Sequence, residues 1–112
     1  MIERDRLYLG HILEAFAAVE SFTTGGRAEF LSDLKTQSAV LRQLEIIGEA
    51  VKHLGAELVA RETGVPWRQI AGARDKLIHA YFRVDLDAVW SMVHLDLAPL
   101  KANVQRMLSA QR

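Results

Sequence analysis

Residues 36–61 read TQSAVLRQLEIIGEAVKHLGAELVAR. Apolar residues in this stretch are spaced alternately four and three residues apart, at Val40, Leu44, Ile47, Val51, Leu54 and Leu58. This spacing places two apolar residues per heptad on one side of a helix. It predicts a single helix from about Thr36 to Arg61, with Thr36 as the N-cap. Gly48 and Gly55 share a face of this helix, and each costs about 1 kcal/mol of helix propensity relative to alanine, which favours the close approach of another helix there.

A second stretch, near the end of the sequence, repeats this spacing. Its apolar residues again follow one another four and three positions apart, at Leu86, Trp90, Val93, Leu97, Leu100, Val104 and Met107. Asp85 precedes them and is the predicted N-cap, because its carboxylate can accept a hydrogen bond from an unpaired backbone N–H. Pro99 lies inside the stretch. Because the stripe continues in phase across Pro99, the pattern predicts a kink rather than the end of the helix.

The first third of the chain predicts two more helices. Residues 1–22 carry apolar side chains at helical spacing. Residues 23–26, Thr-Thr-Gly-Gly, end that helix, because paired glycines tolerate the positive φ that a chain reversal needs. A short helix from about Arg27 to Leu34 then follows and is expected to bury Phe30 and Leu34.

The patterns together predict an all-α protein, because no segment shows the alternation of a strand. Pro66 is expected to begin one more helix at its first position, where the missing N–H costs nothing. The expected architecture is an antiparallel bundle of four to five helices that forms a single domain over residues 1–112. Two long apolar seams offer more surface than one small bundle hides, which favours self-association as a homodimer.

Composition excludes several classes of function. The 112 residues include 14 Lys plus Arg and 14 Asp plus Glu, and this balance argues against a globally basic nucleic-acid coat protein. The absence of cysteine excludes disulfides, cysteine-bound zinc, iron–sulfur clusters and a thiol nucleophile, and it fits a cytoplasmic location. No apolar run approaches the roughly 18 residues of a membrane span, so no membrane association is expected. The P-loop, the dinucleotide fingerprint and the HExxH zinc motif do not occur.

Acidic and imidazole side chains come close together along the sequence in three pairs. The pairs are His11 with Glu14, Glu49 with His53, and His94 with Asp96. Di-iron bundles repeat a Glu-x-x-His pair and add further glutamates, and this chain has no such repeat. We therefore interpret the pairs as ordinary hydrogen bonding at the protein surface. Neither a metal nor another cofactor is predicted.

Residues 66–84 read PWRQIAGARDKLIHAYFRV and are the most informative stretch for function. Asp75 is its one acidic residue, whereas four residues are basic: Arg68, Arg74, Lys76 and Arg83. Four positive charges minus one negative charge leave +3 in a chain whose total is zero. A local positive patch on a neutral protein favours a specific phosphate site.

Three side chains of this stretch suit the cleavage of RNA without a metal ion. Arg74 offers a planar set of donors that fits a phosphate. Histidine side chains in general titrate near neutral pH, so His79 is suited to move a proton to or from a ribose or leaving oxygen. Tyr81 has a hydroxyl that can donate a hydrogen bond or be modified. A ribonuclease needs a base for the 2′-OH, an acid for the 5′ oxygen and a cation for the phosphate, and this set can supply them.

The helical positions of these residues leave several arrangements open. On an ideal helix Arg74 and Tyr81 lie about 20° apart, whereas His79 lies about 140° from Arg74. Either the helix loosens near His79, or two copies of the stretch meet at an interface and complete each other. A purely structural interpretation also fits the spacing, with His79 at the edge of the core, a hydrogen-bonded tyrosine and a surface arginine.

The order Arg74, His79, Tyr81 resembles the motif of the HEPN superfamily, in which an arginine is followed after four to six residues by a histidine, one residue and a tyrosine. The chain is more closely similar to the HepT-like ribonuclease toxins of the HepT/MntA toxin–antitoxin systems. Further blocks carry this resemblance along the chain, namely residues 4–9 (RDRLYL), 35–37 (KTQ), 44–50 (LEIIGEA), 65–67 (VPW) and 81–85 (YFRVD).

The resemblance implies a helical homodimer that cleaves RNA in a groove shared by both copies. It further implies that Arg74 binds the scissile phosphate and that His79 acts as general base or acid. An MntA-like minimal nucleotidyltransferase is the implied antitoxin partner, which would transfer AMP from ATP to Tyr81. Asp75 would orient Arg74 or His79, and Lys76 would support the positive groove.

Two other interpretations remain open from the sequence. The first is a non-catalytic helical subunit that binds a nucleotide or docks a nucleotidyltransferase. The second is a structural dimer whose motif no longer works. Glu49 lies in one of the matched blocks, where a structural role and a functional role are equally compatible with the pattern.

Overall fold

The computed structural model describes residues 1–72 and 85–110. Within these ranges the chain forms helices and no β-strand, which confirms the predicted all-α class. The elements in chain order are α1 (Glu3–Phe22), α2 (Gly26–Ser32), α3 (Leu34–Lys52), α4 (Ala56–Arg61), α5 (helical over residues 67–72), α6 (Leu86–Ser91), a π-helical turn (Met92–Asp96) and α7 (Ala98–Ser109).

Helix α1 packs chiefly against α3 and also contacts α7, while α2 contacts α3 and α6. The ring of Tyr8, near the start of α1, stacks on that of His53, just after α3, so the two helices are antiparallel. Lys101, near the start of α7, donates a 2.7 Å hydrogen bond to Glu20, near the end of α1, so this pair is antiparallel too. The predicted antiparallel packing is confirmed for both pairs.

The predicted apolar seams form the core. All six seam residues of the 36–61 stretch are buried, and so are Val93, Leu97, Leu100, Val104 and Met107 of the second seam. Leu86 and Trp90 are half-buried and pack against the same core. Both seams are therefore covered largely within one chain, and the surplus apolar surface that favoured self-association is not found along them.

The prediction of one continuous helix over residues 36–61 is wrong, because the structure has two helices there. Helix α3 ends at Lys52, α4 begins at Ala56, and Gly55 between them is extended, with φ −68° and ψ 147°. The backbone N–H of Gly55 donates a 2.8 Å hydrogen bond to Oδ1 of Asp5 in α1. Asp5 is only 4% exposed. The predicted close approach of another helix at Gly55 is confirmed, because a Cβ there would lie 3.3 Å from Asp5 Oδ1.

The start of this helix also differs from the prediction. Asp33, not Thr36, is the N-cap of α3, and its carboxylate accepts hydrogen bonds from the Lys35 N–H at 3.2 Å and the Thr36 hydroxyl at 2.7 Å. The hydroxyl bond to Thr36 is the main cause that lowers the pKa of Asp33. Leu34, which was expected to be buried, is 74% exposed, whereas Phe30 is buried as predicted.

The predicted first helix and the turn after it are confirmed. Helix α1 spans Glu3–Phe22, and Thr23 ends it by donating its hydroxyl to the Val19 carbonyl at 2.8 Å. Gly26 has a φ of 89°, in the left-handed region that glycine adopts without a steric penalty.

The second predicted seam begins as expected and is interrupted before the proline. Asp85 is the N-cap of α6, and its Oδ1 accepts the Ala88 N–H at 3.1 Å. The π-helical turn then closes with a 2.9 Å bond from the Leu97 N–H to the Met92 carbonyl, and the chain bends at Leu97. Pro99 therefore lies in the first turn of α7, where an N–H needs no helical partner.

Candidate functional site

The residues predicted to carry the chemistry lie outside the described part of the chain. They are Arg74, Asp75, Lys76, His79 and Tyr81, all within residues 73–84. Their predicted roles, and the arrangement of Arg74 relative to His79, stay predictions. The structure describes the two segments that lead into this stretch and out of it.

The segment that leads into it is anchored through a tryptophan. Trp67, at the start of α5, is buried, and its Nε1–H donates to the Glu62 carbonyl at 3.1 Å. The Glu62 carboxylate in turn accepts a 2.6 Å bond from Arg106 in α7, and this pairing raises the pKa of the Arg106 guanidinium. Ile70, one turn further along, is buried as well. The start of α5 is therefore held against the core and against α7.

The segment that leads out is anchored in a similar way. Val89 of α6 is fully buried, and the ring of Trp90 lies 5.4 Å from that of Phe30 in α2. On the surface, Asp87 accepts a hydrogen bond from Arg27. Together with the Asp85 cap, these contacts fix the first turn after residue 84 to α2 and the core.

Arg68 is the one basic residue of the 66–84 patch that the structure describes. Its side chain is exposed on α5, next to the buried Trp67. It forms no ion pair with any residue of the described ranges. An exposed cation at this position can meet a phosphate of a ligand without first breaking an ion pair to a described residue.

A second group of polar side chains lines a cavity between α1 and α3. We call it the Tyr8 cavity; it has a volume of about 290 Å³ and is lined by Tyr8, His11, Arg42, Glu45, Ile46, Glu49 and Ala50. Periodicity alone did not reveal it, because its two walls lie more than thirty residues apart in the chain. The sequence feature that could have pointed to the cavity is the spacing of Tyr8 and His11, which lie three residues apart and so share one face of α1.

The rings beside the Tyr8 cavity contact one another. Tyr8 stacks on His53 with the ring centroids 4.8 Å apart and the planes 13° apart, and it meets His11 edge-on at 5.4 Å. Glu49 Oε1 lies 3.5 Å from His53 Nε2, which confirms the predicted contact of this pair. His11 makes no such contact with Glu14; its ring partner is Tyr8.

For the third pair, His94 with Asp96, the structure describes the side chain of the histidine only. His94 Nδ1 lies 3.0 Å from the Trp90 carbonyl oxygen, and the two rings are 4.0 Å apart. The side chain of Asp96 is outside the described part of the structure. His94 therefore has a local structural contact on the outer side of the π-helical turn.

An apolar groove lies between the start of α5 and the π-helical turn. Its volume is about 540 Å³, and Ile70, Met92, Leu95 and Pro99 are among the residues that line it. Leu95 is 71% exposed at its edge.

Two further findings concern metals and membranes. Among residues 1–72 and 85–110, no three His, Cys, Asp or Glu side chains are grouped so that they could hold a metal ion. None of the helices described is both long enough and apolar enough to cross a lipid bilayer.

Comparison with known proteins places the chain in a family. The family model described as "Ribonuclease HepT-like" matches residues 12–107. The chain is 46% identical over 101 residues to the "probable ribonuclease HepT" of Thermococcus cleftensis, covering 89% of this chain and 92% of that protein. No solved structure matches the chain.

Two further relatives agree with this match. A "putative RNase" of Caldanaerobacter subterraneus is 39% identical over 108 residues, which cover 96% of both chains. A "putative RNase" of Methanocaldococcus jannaschii is 45% identical over 89 residues, which cover 79% of this chain and 74% of that protein. The family predicted from the sequence is confirmed: the chain belongs to the HepT-like ribonucleases.

Proposed function

We propose that this protein is a metal-independent endoribonuclease toxin that cuts RNA in a groove formed between two copies of the chain. The observation that carries the proposal is the family match over residues 12–107, which spans the whole basic stretch 66–84. That stretch holds Arg74, His79 and Tyr81 at the spacing of the HEPN motif. The segments on both sides of this stretch are anchored to the core. Such anchoring supports a catalytic site, because catalytic groups must keep a fixed geometry.

The reaction needs only groups that the chain supplies. His79 takes the proton from a ribose 2′-OH, and the 2′ oxygen forms a bond to the adjacent phosphorus. The bond from phosphorus to the 5′ oxygen breaks, and that oxygen takes a proton from His79 of the partner subunit. The products are a 2′,3′-cyclic phosphate and a 5′-OH end. Each proton transfer contributes about 10²–10⁴ to the rate, and Arg74 stabilises the charge that develops on the phosphate.

Two copies are proposed because an ideal helix over this stretch would separate the groups that must act together. His79 lies about 140° around an ideal helix from Arg74, so a second copy can supply the group that the first copy turns away. The buried seams do not support the dimer, since their side chains are covered largely within one chain.

We further propose that an MntA-like nucleotidyltransferase neutralises the toxin by transferring AMP to Tyr81. The phenol gives up its proton to solvent as its oxygen attacks the α-phosphorus of ATP. A Tyr81–O–P bond forms, the bond from the α-phosphorus to the bridging oxygen breaks, and pyrophosphate leaves. The adenylate adds bulk and negative charge to a stretch whose net charge is +3. It competes there with the RNA phosphate for Arg74 and Lys76. Asp75 is assigned the orientation of Arg74 or His79.

The proposed cleavage is tested with purified protein and RNA in EDTA. The wild type is expected to degrade the RNA and leave cyclic-phosphate or 3′-phosphate ends, and His79→Ala and Arg74→Ala should each lose at least 100-fold in rate. His94→Ala is the matched control, because His94 is exposed and contacts only Trp90 within the described structure. RNA left intact by wild-type protein that still binds a nucleotidyltransferase would favour the non-catalytic subunit instead.

The proposed modification is tested by mass spectrometry after incubation with the cognate nucleotidyltransferase and ATP. Each transferred AMP should add about 329 Da, as expected for a phosphate-linked nucleotide on a hydroxyl group. The chain has two tyrosines, which gives a matched pair of variants. Tyr81→Phe should block the adduct and Tyr8→Phe should still accept it. An adduct that persists in Tyr81→Phe contradicts the assignment.

A further inference from the structure

The Tyr8 cavity has polar groups that form no hydrogen bond with any residue the structure describes. Among the described residues, the Tyr8 hydroxyl, the His11 ring nitrogens and Glu49 Oε2 have no hydrogen-bond partner. Glu49 Oε1 has only the contact to His53 at 3.5 Å. These groups come from two helices and line the same space. They form a donor and acceptor set that a ligand can engage without breaking a hydrogen bond between described residues.

The charge of the lining decides which part of an RNA would fit. One arginine, Arg42, faces two carboxylates, Glu45 and Glu49, so the lining has a net charge of −1 with neutral imidazoles. Arg42 is already paired with Glu45 at 3.2 Å. A phosphate would meet an uncompensated carboxylate here, which is unfavourable. A nucleobase that presents N–H donors would meet acceptors instead.

The shape of the cavity agrees with a single base. Its volume of about 290 Å³ is at the lower end of the range for small-molecule sites. Tyr8 and His11 form an aromatic wall, and Ile46 and Ala50 provide apolar contact for a planar ring. Unpaired bases in RNA are bound by such surfaces together with hydrogen bonds to their Watson–Crick edge.

Among the four RNA bases, guanine matches a carboxylate best. Its Watson–Crick edge places two donors side by side, N1–H and the N2 amino group, which one carboxylate can accept together. Adenine and cytosine place a donor next to an acceptor, and uracil has one N–H between two carbonyls. Glu49 can accept both guanine bonds because a carboxylate offers about four lone-pair sites.

We infer that the Tyr8 cavity binds an unpaired guanine of the RNA substrate, with Glu49 accepting from its N1–H and N2 amino group. This inference rests on the proposed ribonuclease function and adds a specificity site to it. The cavity would fix which bond enters the cleavage site, because a guanine held there sets the register of the strand.

The test is to map cleavage in a pool of random-sequence RNA. Wild-type protein should cut at a fixed distance from a guanine, and Glu49→Gln should weaken that preference by about tenfold, since a bidentate base contact discriminates by roughly 5- to 150-fold. Glu14→Gln is the matched control, because Glu14 is exposed on α1 and does not line the cavity. Cleavage by the wild type without a guanine preference would overturn the inference and leave the ribonuclease proposal intact.

A second measurement uses wild-type protein only and so does not depend on the folding of a variant. Replacing the guanine of a short RNA by inosine removes the N2 amino group and should slow its cleavage at least fivefold. Equal cleavage of the two RNAs would overturn the inference. If the protein cuts no RNA, the proposed function fails, and the affinities of the two RNAs for the protein then decide the inference. Tighter binding of the guanine form supports it, and equal binding contradicts it.

Discussion

Two segments of this protein carry the same apolar spacing and are interrupted in different ways. Between α3 and α4 the helical hydrogen bonding stops, and the backbone N–H of Gly55 is taken by Asp5, fifty residues earlier in the chain. Between α6 and α7 the helix widens, and the Leu97 N–H reaches back five residues to Met92. The first interruption depends on a distant side chain, whereas the second is satisfied by the local backbone.

This difference shows what an apolar pattern does and does not determine. Both seams stay buried across their interruptions, so the spacing identifies the core-facing side in each case. Neither spacing reveals where the backbone leaves the helix, because that depends on what satisfies the freed N–H and carbonyl groups. The two junctions should therefore respond differently to substitution.

The largest effect is expected at the junction that depends on a side chain. Asp5→Ala removes the acceptor of the Gly55 N–H and leaves that partly buried donor without a partner. This should lower the free energy of unfolding by about 2 kcal/mol. Urea denaturation measures it as a lower midpoint with an unchanged dependence on denaturant.

Asp5→Asn is the matched control for this prediction. The amide oxygen can still accept from Gly55, so the loss should be clearly smaller than for alanine. Equal destabilisation by the two substitutions would show that the charge of Asp5, rather than its hydrogen bond, stabilises the junction.

The sequence predicted much of the fold because most of its determinants are local. The bounds of α1, the N-cap at Asp85 and the buried side of both seams follow from spacing and capping chemistry. The break before Gly55 was missed, because the carboxylate that stabilises it comes from another helix. The predicted N-cap at Thr36 is wrong because Asp33, three residues earlier, offers two acceptor oxygens to the same turn.

An intermediate effect is expected at Asp85, where the second seam begins. Asp85→Ala removes the acceptor of the Ala88 N–H and should cost about 1 kcal/mol of unfolding free energy, which is the usual value of an N-cap. Thermal denaturation followed by circular dichroism measures the change.

Asp87→Ala gives the comparison for Asp85, two residues further along the same helix. Asp87 forms an exposed ion pair with Arg27, and such pairs contribute little to stability. The Asp87 variant should therefore melt close to the wild type. If it lost as much stability as the Asp85 variant, the capping bond would not be what stabilises the start of α6.

For a related reason, how much of a candidate site can be predicted depends on whether its residues are neighbours in sequence. Chemistry-bearing residues that are neighbours in sequence, such as Arg74 and His79, can be recognised by their spacing and by the family they resemble. The Tyr8 cavity depends on the antiparallel packing of α1 on α3, which joins Tyr8 to Glu49 only in three dimensions. The sequence identified the Glu49–His53 and His11–Glu14 pairs, which contain two of the lining residues. It did not predict the cavity between the two helices.

The smallest effect is expected at Pro99, and it tests the second interruption directly. In the interior of a continuous helix a proline costs about 3 kcal/mol, so its replacement by alanine would stabilise the protein by a similar amount. Here the chain bends at Leu97 and α7 begins at Ala98, so the missing N–H of Pro99 is not needed. Pro99→Ala should instead destabilise by about 0.5 kcal/mol, because alanine gives the unfolded chain more freedom.

Pro66, which directly precedes α5, should respond in the same direction. If Pro99→Ala stabilises the protein while Pro66→Ala destabilises it, Pro99 itself forces the π-helical turn. If both variants lose a similar small amount of stability, the packing of Leu97 and Leu100 in the core sets the bend, and Pro99 is only compatible with it.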